Sequence, residues 1–279
     1  MKVLITGTGG QVGRAMAEHC AAQGDDVVAA DRAALDITDR DAVLAAITTL
    51  LPDVVVNPAA NTDVDGCERD PDAAYAVNSL AVRHLADGCR LAGAHLVHVS
   101  TDYVFDGRKG APYVEWDETG PLSVYARSKL GGEREAGPDA TVVRTSWVFS
   151  RGGKNFVQAV LDRPAAGGPL RFIDDQRGTP TLADDLAVVL RQLAVERRTG
   201  LFHVSNGGET TRFDQARRVL AAAGLDPDQV IPITSDELPW VAERPSATVL
   251  DNAALRLSGM RALRDHTEAL DEVVKELIR

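Results

Sequence analysis

The chain has 279 residues, of which 44% are hydrophobic, 25% charged and 5% aromatic, a composition that excludes disordered, fibrous and disulfide-built proteins. Its length is enough to bury a sizeable core in one large domain or two closely joined ones. Thirty basic against 41 acidic residues leave a net charge of −11, which argues against nucleic-acid polymers or an anionic membrane as the main partner.

The first half alternates two periods. Val3-Leu4-Ile5, Val27-Val28-Ala29-Ala30, Val54-Val55-Val56 and Leu96-Val97-His98-Val99 are short, apolar and rich in β-formers. Between them, residues 11–23, 39–50 and 72–92 have helical character. Such alternation predicts an α/β protein of Rossmann type, a doubly wound parallel sheet covered on both faces. Gly24 closes the first helix and Pro52 ends the stretch over 39–50. A further helix starts near Val124, followed by a strand at Thr141-Val142-Val143. Beyond about residue 150, Gly152-Gly153, the run over 164–169 and Gly207-Gly208 cut the chain into shorter units. Helices are expected over 181–197, 211–223 and 265–278. The expected organisation is a nucleotide-binding domain over 1–150, joined again by part of 181–206. A smaller interleaved domain over 151–279 lies across one edge of the sheet.

No apolar run approaches the about 20 residues of a membrane span, and Gly7 interrupts the N-terminal apolar run before a signal-peptide core can form. Cys20, Cys67 and Cys89 make no Cys-x-x-Cys pair, the pattern of reduced thiols. A cytoplasmic protein is expected. An acidic chain that binds phosphorylated ligands must do so with local groups, the more so because only five of its basic residues are lysines.

Gly7, Gly10 and Gly13 form a Gly-x-x-Gly-x-x-Gly run between the first strand and the first helix. Glycine at these positions permits a tight turn, close approach of a pyrophosphate and close helix–sheet packing, while helix N–H groups hold the anion. The strand–motif–helix context supports a dinucleotide site over a merely structural turn. Asp31 ends the next strand, where an acid can accept from the adenosine ribose hydroxyls; as a plain cap or surface acid it would carry no such role. Asp31 favours NADH and the adjacent Arg32 suits the 2′-phosphate of NADPH, so both cofactors stay open.

Tyr125 and Lys129 stand four apart on a helix and share a face. A cation there is expected to pull the phenol below its ordinary value of about 10 and make a general acid–base. Thr101, at the C-terminal end of its strand, offers a hydroxyl to a developing oxyanion; a turn cap is the alternative role.

Together these residues resemble the extended short-chain dehydrogenase/reductases. The run from Ser100 to Gly107 (Ser-Thr-Asp-Tyr-Val-Phe-Asp-Gly), the Leu130, Gly132 and Glu133 that follow Lys129, Arg144-Thr145-Ser146-Trp147-Val148, the residues from Asp175 to Thr181 and Arg244-Pro245 narrow the resemblance to the dTDP-4-dehydrorhamnose reductase family, over residues 2–257. The resemblance implies NADPH- or NADH-dependent reduction of the C4 keto group of a dTDP-4-dehydro-6-deoxysugar, with dTDP-4-dehydro-L-rhamnose as the default substrate. A related reductase of natural-product deoxysugars and a non-catalytic regulatory subunit on the same scaffold are the alternatives.

It further implies that Gly10, Gln11 and Val12 line the pyrophosphate, with Asp36 and Ile37 beside the adenine. Ala59, Ala60, Asn61 and Thr62 pass under the cofactor. Thr101, Asp102 and Trp147 would meet the sugar nucleotide. Asn155, Arg177 and Arg244 are the expected donors to its diphosphate. Some relatives use Mg²⁺ at a subunit contact, but no ligand cluster can be assigned, and a monomer or homodimer is expected.

The chain departs from the family's usual run at Asn61, Asp63, Gly66 and Ala126, which bears on the sugar taken rather than on the reaction type. A 4,6-dehydratase needs a second carboxylate beside Asp102, where this chain has Tyr103. His95 and His98 point to opposite faces of a strand, poor geometry for one metal. Glu115, Asp117 and Glu118 are expected in a solvated acidic loop.

Overall fold

The computed structural model describes residues 1–153, 155–162 and 168–278. In chain order the elements are β1 (Lys2–Thr6), α1 (Gln11–Ala22), β2 (Asp26–Ala30), α2 (Arg40–Leu50), β3 (Val54–Asn57), α3 (Val64–Arg69), α4 (Pro71–Tyr75), α5 (Ala81–Ala92), β4 (His95–Thr101), α6 (Val124–Ala136) and β5 (Thr141–Thr145). There follow β6 (Val148–Phe149), α7 (Phe156–Asp162), β7 (Leu170–Ile173), β8 (Arg177–Gly178), β9 (Thr181–Leu182), α8 (Ala183–Val195), β10 (Gly200–His203), β11 (Thr210–Thr211), α9 (Arg212–Ala222), β12 (Val230–Ile233), α10 (Ala253–Leu257) and α11 (His266–Leu277).

The main sheet is parallel throughout, in the order β10-β5-β4-β3-β1-β2. Strand order reverses between β1 and β3, and the crevice at such a reversal is where open α/β sheets bind ligands. Alternation along β1 explains the two helix layers. Val3 and Ile5 face one side, packing with Met16 and Cys20 of α1 and Leu186 and Leu190 of α8. Leu4 faces the other, with Val43 and Ile47 of α2 and Leu85 of α5. Buried on both faces, the strands need the unbroken apolar runs seen in the sequence.

Residues of the second half complete this sheet: β10 pairs with β5 and α8 packs on α1. A separate core joins Phe149, Val157, Leu170, Leu182, Val219, Leu220, Leu270 and Val273. Of the Gly/Pro run over 164–169, residues 164–167 lie outside the described residues. No helix among the described residues is long and apolar enough to cross a membrane.

The helical stretch expected over 72–92 is present, but it is not of one pitch: a wide π-type turn over Ala76–Leu80 joins α4 to α5. That turn brings Asn78 and Ser79 onto α6. Asn78 Nδ2 donates to Ser128 Oγ at 3.0 Å and Ser79 Oγ to the Ser128 carbonyl at 2.6 Å. Approach is close because α6 presents Gly132, where a Cβ would lie 2.2 Å from the Asn78 carbonyl oxygen. Wide turns of this kind mark functional sites, and this one fixes the helix bearing Tyr125 and Lys129.

Nor is the acidic stretch simply solvated. Glu115 is buried, and its Oε1 accepts from the backbone N–H groups of His203 at 2.8 Å and Ala254 at 3.0 Å. Asp117 accepts from the Val114 N–H at 2.7 Å and pairs with Lys109. Unpaired backbone donors in a buried segment recruit the carboxylate that a hydropathy reading assigns to water.

Candidate active site

A cleft of about 1790 Å³ opens over the C-terminal ends of β1, β3 and β4. Pockets for one small ligand run to about 300–1,000 Å³, so this one has room for two. At one end lies the loop between β1 and α1. Gly7 takes φ +60°, and a Cβ there would meet the Ala59 backbone at 2.8 Å; a Cβ on Gly13 would lie 2.3 Å from the Gly7 carbonyl oxygen. The N-cap of α1 is Gly10 and no side chain satisfies the first-turn N–H groups of Gln11 and Val12. Such uncapped donors at a helix dipole's positive end suit a pyrophosphate, so the loop fits a dinucleotide. Gln11 is held by Ser150 Oγ, which donates to its side-chain carbonyl at 2.9 Å.

Asp31, Asp36 and Ile37 line the same end. Asp31 Oδ1 accepts from the N–H groups of Ala33 at 3.0 Å and Ala34 at 2.9 Å, so it caps a turn as well as facing the cleft. Asp36 is held below the usual carboxylate range by its hydrogen bonds from Thr38. Beside the switch point, Ala59, Ala60, Asn61 and Thr62 line the floor. Asn61 is tied there by Asn78, which accepts from its N–H at 2.8 Å and donates to its carbonyl at 3.0 Å. The unusual Asp63 and Gly66 belong together: Asp63 caps α3 by accepting from the Gly66 N–H at 2.8 Å, and a Cβ on Gly66 would meet its carboxylate at 2.3 Å.

Thr101, Tyr125 and Lys129 converge in the middle of the cleft. Ser123 caps α6 by accepting from the Ala126 N–H, which fixes where Tyr125 enters. The phenol lies beside the Thr101 hydroxyl, and its ring meets Tyr103 edge to face with centroids 5.9 Å apart. Burial pushes the phenol above its ordinary value, outweighing the lowering influence of the neighbouring Thr101 hydroxyl; the carboxylate of Asp102 adds to the rise. The expectation of a phenol pulled down by Lys129 is thereby corrected, because loss of water around the phenolate dominates.

Lys129 is buried, donates to the Val99 carbonyl at 2.6 Å and is pulled down by burial to about 8, with Glu133 opposing. Glu133 in turn forms a buried ion pair with Arg144 at 2.7 Å. Thr101 both caps the turn that follows, accepting from the Tyr103 N–H at 3.2 Å, and donates to Asp102 Oδ1 at 3.1 Å. Asp102 is buried and pushed up to about 6 by burial, against hydrogen bonds from Thr248 and Thr101.

At the far end stands Trp147, whose backbone takes φ +44°, unusual for a residue with a Cβ. Its ring fills the space a Cβ of Gly178 would occupy, at 2.6 Å. The three expected diphosphate donors lie outside the cleft lining. Asn155 caps the segment entering α7 by accepting from the Val157 N–H at 3.0 Å and donates to the Ser150 carbonyl. Arg177 is exposed and pairs with Glu209 at 2.6 Å. Arg244 pairs with Asp65 at 3.0 Å and stacks on Trp240 at 3.9 Å.

The cleft instead presents Arg212, Arg151 and Asp184, which the sequence reading passes over. An arginine at the first position of a helix, where the dipole disfavours a cation, is the signal that could have marked Arg212. Among the described residues there is no cluster of three or more metal-ligating side chains.

Comparison with known proteins agrees with this geometry. The RmlD substrate binding domain family matches residues 1–279. The dTDP-4-dehydrorhamnose reductase of Mycolicibacterium smegmatis is 44% identical over 99% of this chain and 86% of its own. A probable dTDP-4,6-dihydroxy-2-methyloxan-3-one 4-ketoreductase of Streptomyces antibioticus is 41% identical over 100% of this chain and 96% of its own. The structure of Bacillus anthracis dTDP-4-dehydrorhamnose reductase in complex with NADP superposes with a TM-score of 0.95 at 32% identity, covering 99% of each chain. With a glycine loop, a Thr–Tyr–Lys centre and full-length likeness in agreement, the chain belongs to the dTDP-4-dehydrorhamnose reductase family.

Proposed function

We propose that this protein reduces the C4 keto group of a dTDP-4-dehydro-6-deoxysugar with a nicotinamide dinucleotide, dTDP-4-dehydro-L-rhamnose to dTDP-L-rhamnose being the default reaction. One observation carries the reading: Thr101, Tyr125 and Lys129 meet in a cleft whose other wall is an uncapped glycine-loop helix, with volume for both ligands. In this reading residues 1–150 hold mainly the dinucleotide and 151–279 mainly the sugar nucleotide.

When bound, the reduced nicotinamide supplies the hydride taken up by the carbonyl carbon. The residues of the chain do the rest. Tyr125, kept protonated by burial, gives its phenolic proton to the carbonyl oxygen as charge develops there. Thr101 hydrogen-bonds that oxygen, and its contact with the phenol places donor and acceptor together. Lys129, still charged below about pH 8, offers its remaining N–H donors to the nicotinamide ribose and stabilises the phenolate that proton donation leaves. Reduction calls on the phenol as an acid, the form that it holds at neutral pH. Asp31 can accept from ribose hydroxyls, and the side chain of Arg32, 88% exposed, can meet a 2′-phosphate, so NADH and NADPH both have a means of attachment.

A panel of dTDP-4-keto-6-deoxysugars with NADPH or NADH, followed at 340 nm and by NMR of the products, tests the proposal. Stoichiometric cofactor oxidation with reduction at C4 is the expected result; absence of net oxidation with every sugar would overturn it. The Streptomyces antibioticus relative favours a second reading, reduction of a different dTDP-4-keto sugar, which the same panel separates from the first. The intact Thr101, Tyr125 and Lys129 centre speaks against a regulatory subunit.

A further inference from the structure

The sugar nucleotide carries a diphosphate, and the cleft has to offer it something other than the loop that serves the dinucleotide. The basic residues around the cleft are mostly committed. Arg14 and Arg32 lie on the dinucleotide side, on α1 and after β2. Arg151 is surrounded by the carboxylates of Asp184, Glu272 and Glu276. Lys129 serves the reacting centre.

Arg212 differs from all of these. It lines the cleft, yet among the described residues no carboxylate lies within ion-pair distance of it; its one side-chain hydrogen bond runs to Gln215 Oε1 at 2.9 Å. Its guanidinium lies 3.8 Å from the ring centroid of Trp147 and 4.9 Å from that of Phe156. A guanidinium has five N–H donors, so most of this fork remains to be satisfied. Holding such a half-buried charge at the positive end of a helix is costly twice over, and an anion in the cleft would offset both costs. Trp147, packed closely against Gly178, makes a platform that holds the fork in place.

We propose that Arg212, stacked on Trp147, receives the diphosphate of the sugar nucleotide. The assignment rests on the reductase reading above for the identity of the nucleotide, and on the cleft geometry for the anion. Bidentate contact with phosphate oxygens is the interaction for which arginine is suited and lysine is not.

Calorimetric titration with dTDP, thymidine and inorganic pyrophosphate tests it, without any turnover. Arg212→Met is expected to weaken dTDP binding about 10–100-fold, the loss of a charge-assisted pair, and to leave thymidine and NADPH within about twofold. Arg212→Lys should recover only part of the loss. In turnover the KM for the keto-sugar nucleotide should rise more than kcat falls. If Arg212→Met binds dTDP like the wild type, the proposal is wrong. Equal losses for thymidine, NADPH and dTDP would also overturn it, since they would show a supporting role for Trp147 alone. Wild-type binding of pyrophosphate through Arg212 without binding of dTDP would leave the anion site standing and sink the thymidine-nucleotide reading. Binding of neither would remove the site itself.

Discussion

The two ends of the cleft are built from different materials. The dinucleotide end uses backbone: uncapped N–H groups of α1 and a turn that tolerates nothing larger than glycine at Gly13. The end proposed for the sugar nucleotide uses side chains that arrive from distant segments, Asp102 after β4, Trp147 after β5 and Arg212 at the start of α9, with Thr248 before α10 hydrogen-bonded to Asp102. Backbone donors keep their number whatever the sequence around them, and they bind an anion without a lysine. Side-chain donors can be exchanged one at a time, so this is where a family of reductases could change sugars while keeping its cofactor. On the proposed assignments, an acidic protein holds two pyrophosphates by two unrelated means.

The sharpest way to test this division is at the point where the ends meet. Tyr125→Phe should lower kcat by about 10²–10⁴-fold while dinucleotide and dTDP affinities, read by fluorescence quenching and calorimetry, stay near wild type. A variant that turns over normally would remove Tyr125 from the centre. Next in size, Gly13→Val forces a side chain against the Gly7 carbonyl. It should cost about 3 kcal/mol in thermal unfolding and abolish dinucleotide binding while the folded fraction still takes up dTDP. Joint loss of both ligands would show that the ends are not independent.

The next effect comes from Asp102. Its folded value of about 6 lies above the ordinary 3.8, so between these pH values the folded chain binds more proton than the unfolded one. Stability contributed by this group is therefore present at low pH and lost as pH rises through about 4 to 6. Asp102→Asn should be more stable than wild type by about 3 kcal/mol at pH 7.5, with most of the advantage gone at pH 4 in parallel calorimetric scans. An equal difference at both values would mean that Asp102 titrates normally. Smallest of all, Arg32→Ala should raise the KM for NADPH a few-fold and leave that for NADH unchanged, since an exposed cation meets its partner through screening solvent. Equal changes for both would take Arg32 away from the 2′-phosphate.

How much of this the sequence disclosed follows the same division. The loop at Gly7, Gly10 and Gly13 was legible because its constraint is local, as were the sheet strands, whose burial on both faces leaves continuous apolar runs. The pairing of Tyr125 with Lys129 needed only the period of a helix. Asn155, Arg177 and Arg244 looked suitable by residue type, but their partners, Ser150, Glu209 and Asp65, are set by tertiary contacts that no local pattern records. Glu115 was read as solvated for the same reason: the N–H groups it satisfies belong to His203 and Ala254. The π-type turn before α5 was hidden because its residues are ordinary helix formers, and packing of Asn78 and Ser79 against α6 decides its width.

The way the sheet is finished has a consequence for how the protein comes into being. Its last strand, β10, and the helix that covers Met16 and Cys20, α8, are encoded after residue 180. During synthesis, at about 5–20 residues per second, the emerging chain therefore spends about 3–10 seconds with the edge of β5 unpaired and one face of α1 uncovered. A chain cut short near residue 150 would hold five of the six strands with the β5 edge open, a form exposed to chaperones and to pairing with other chains.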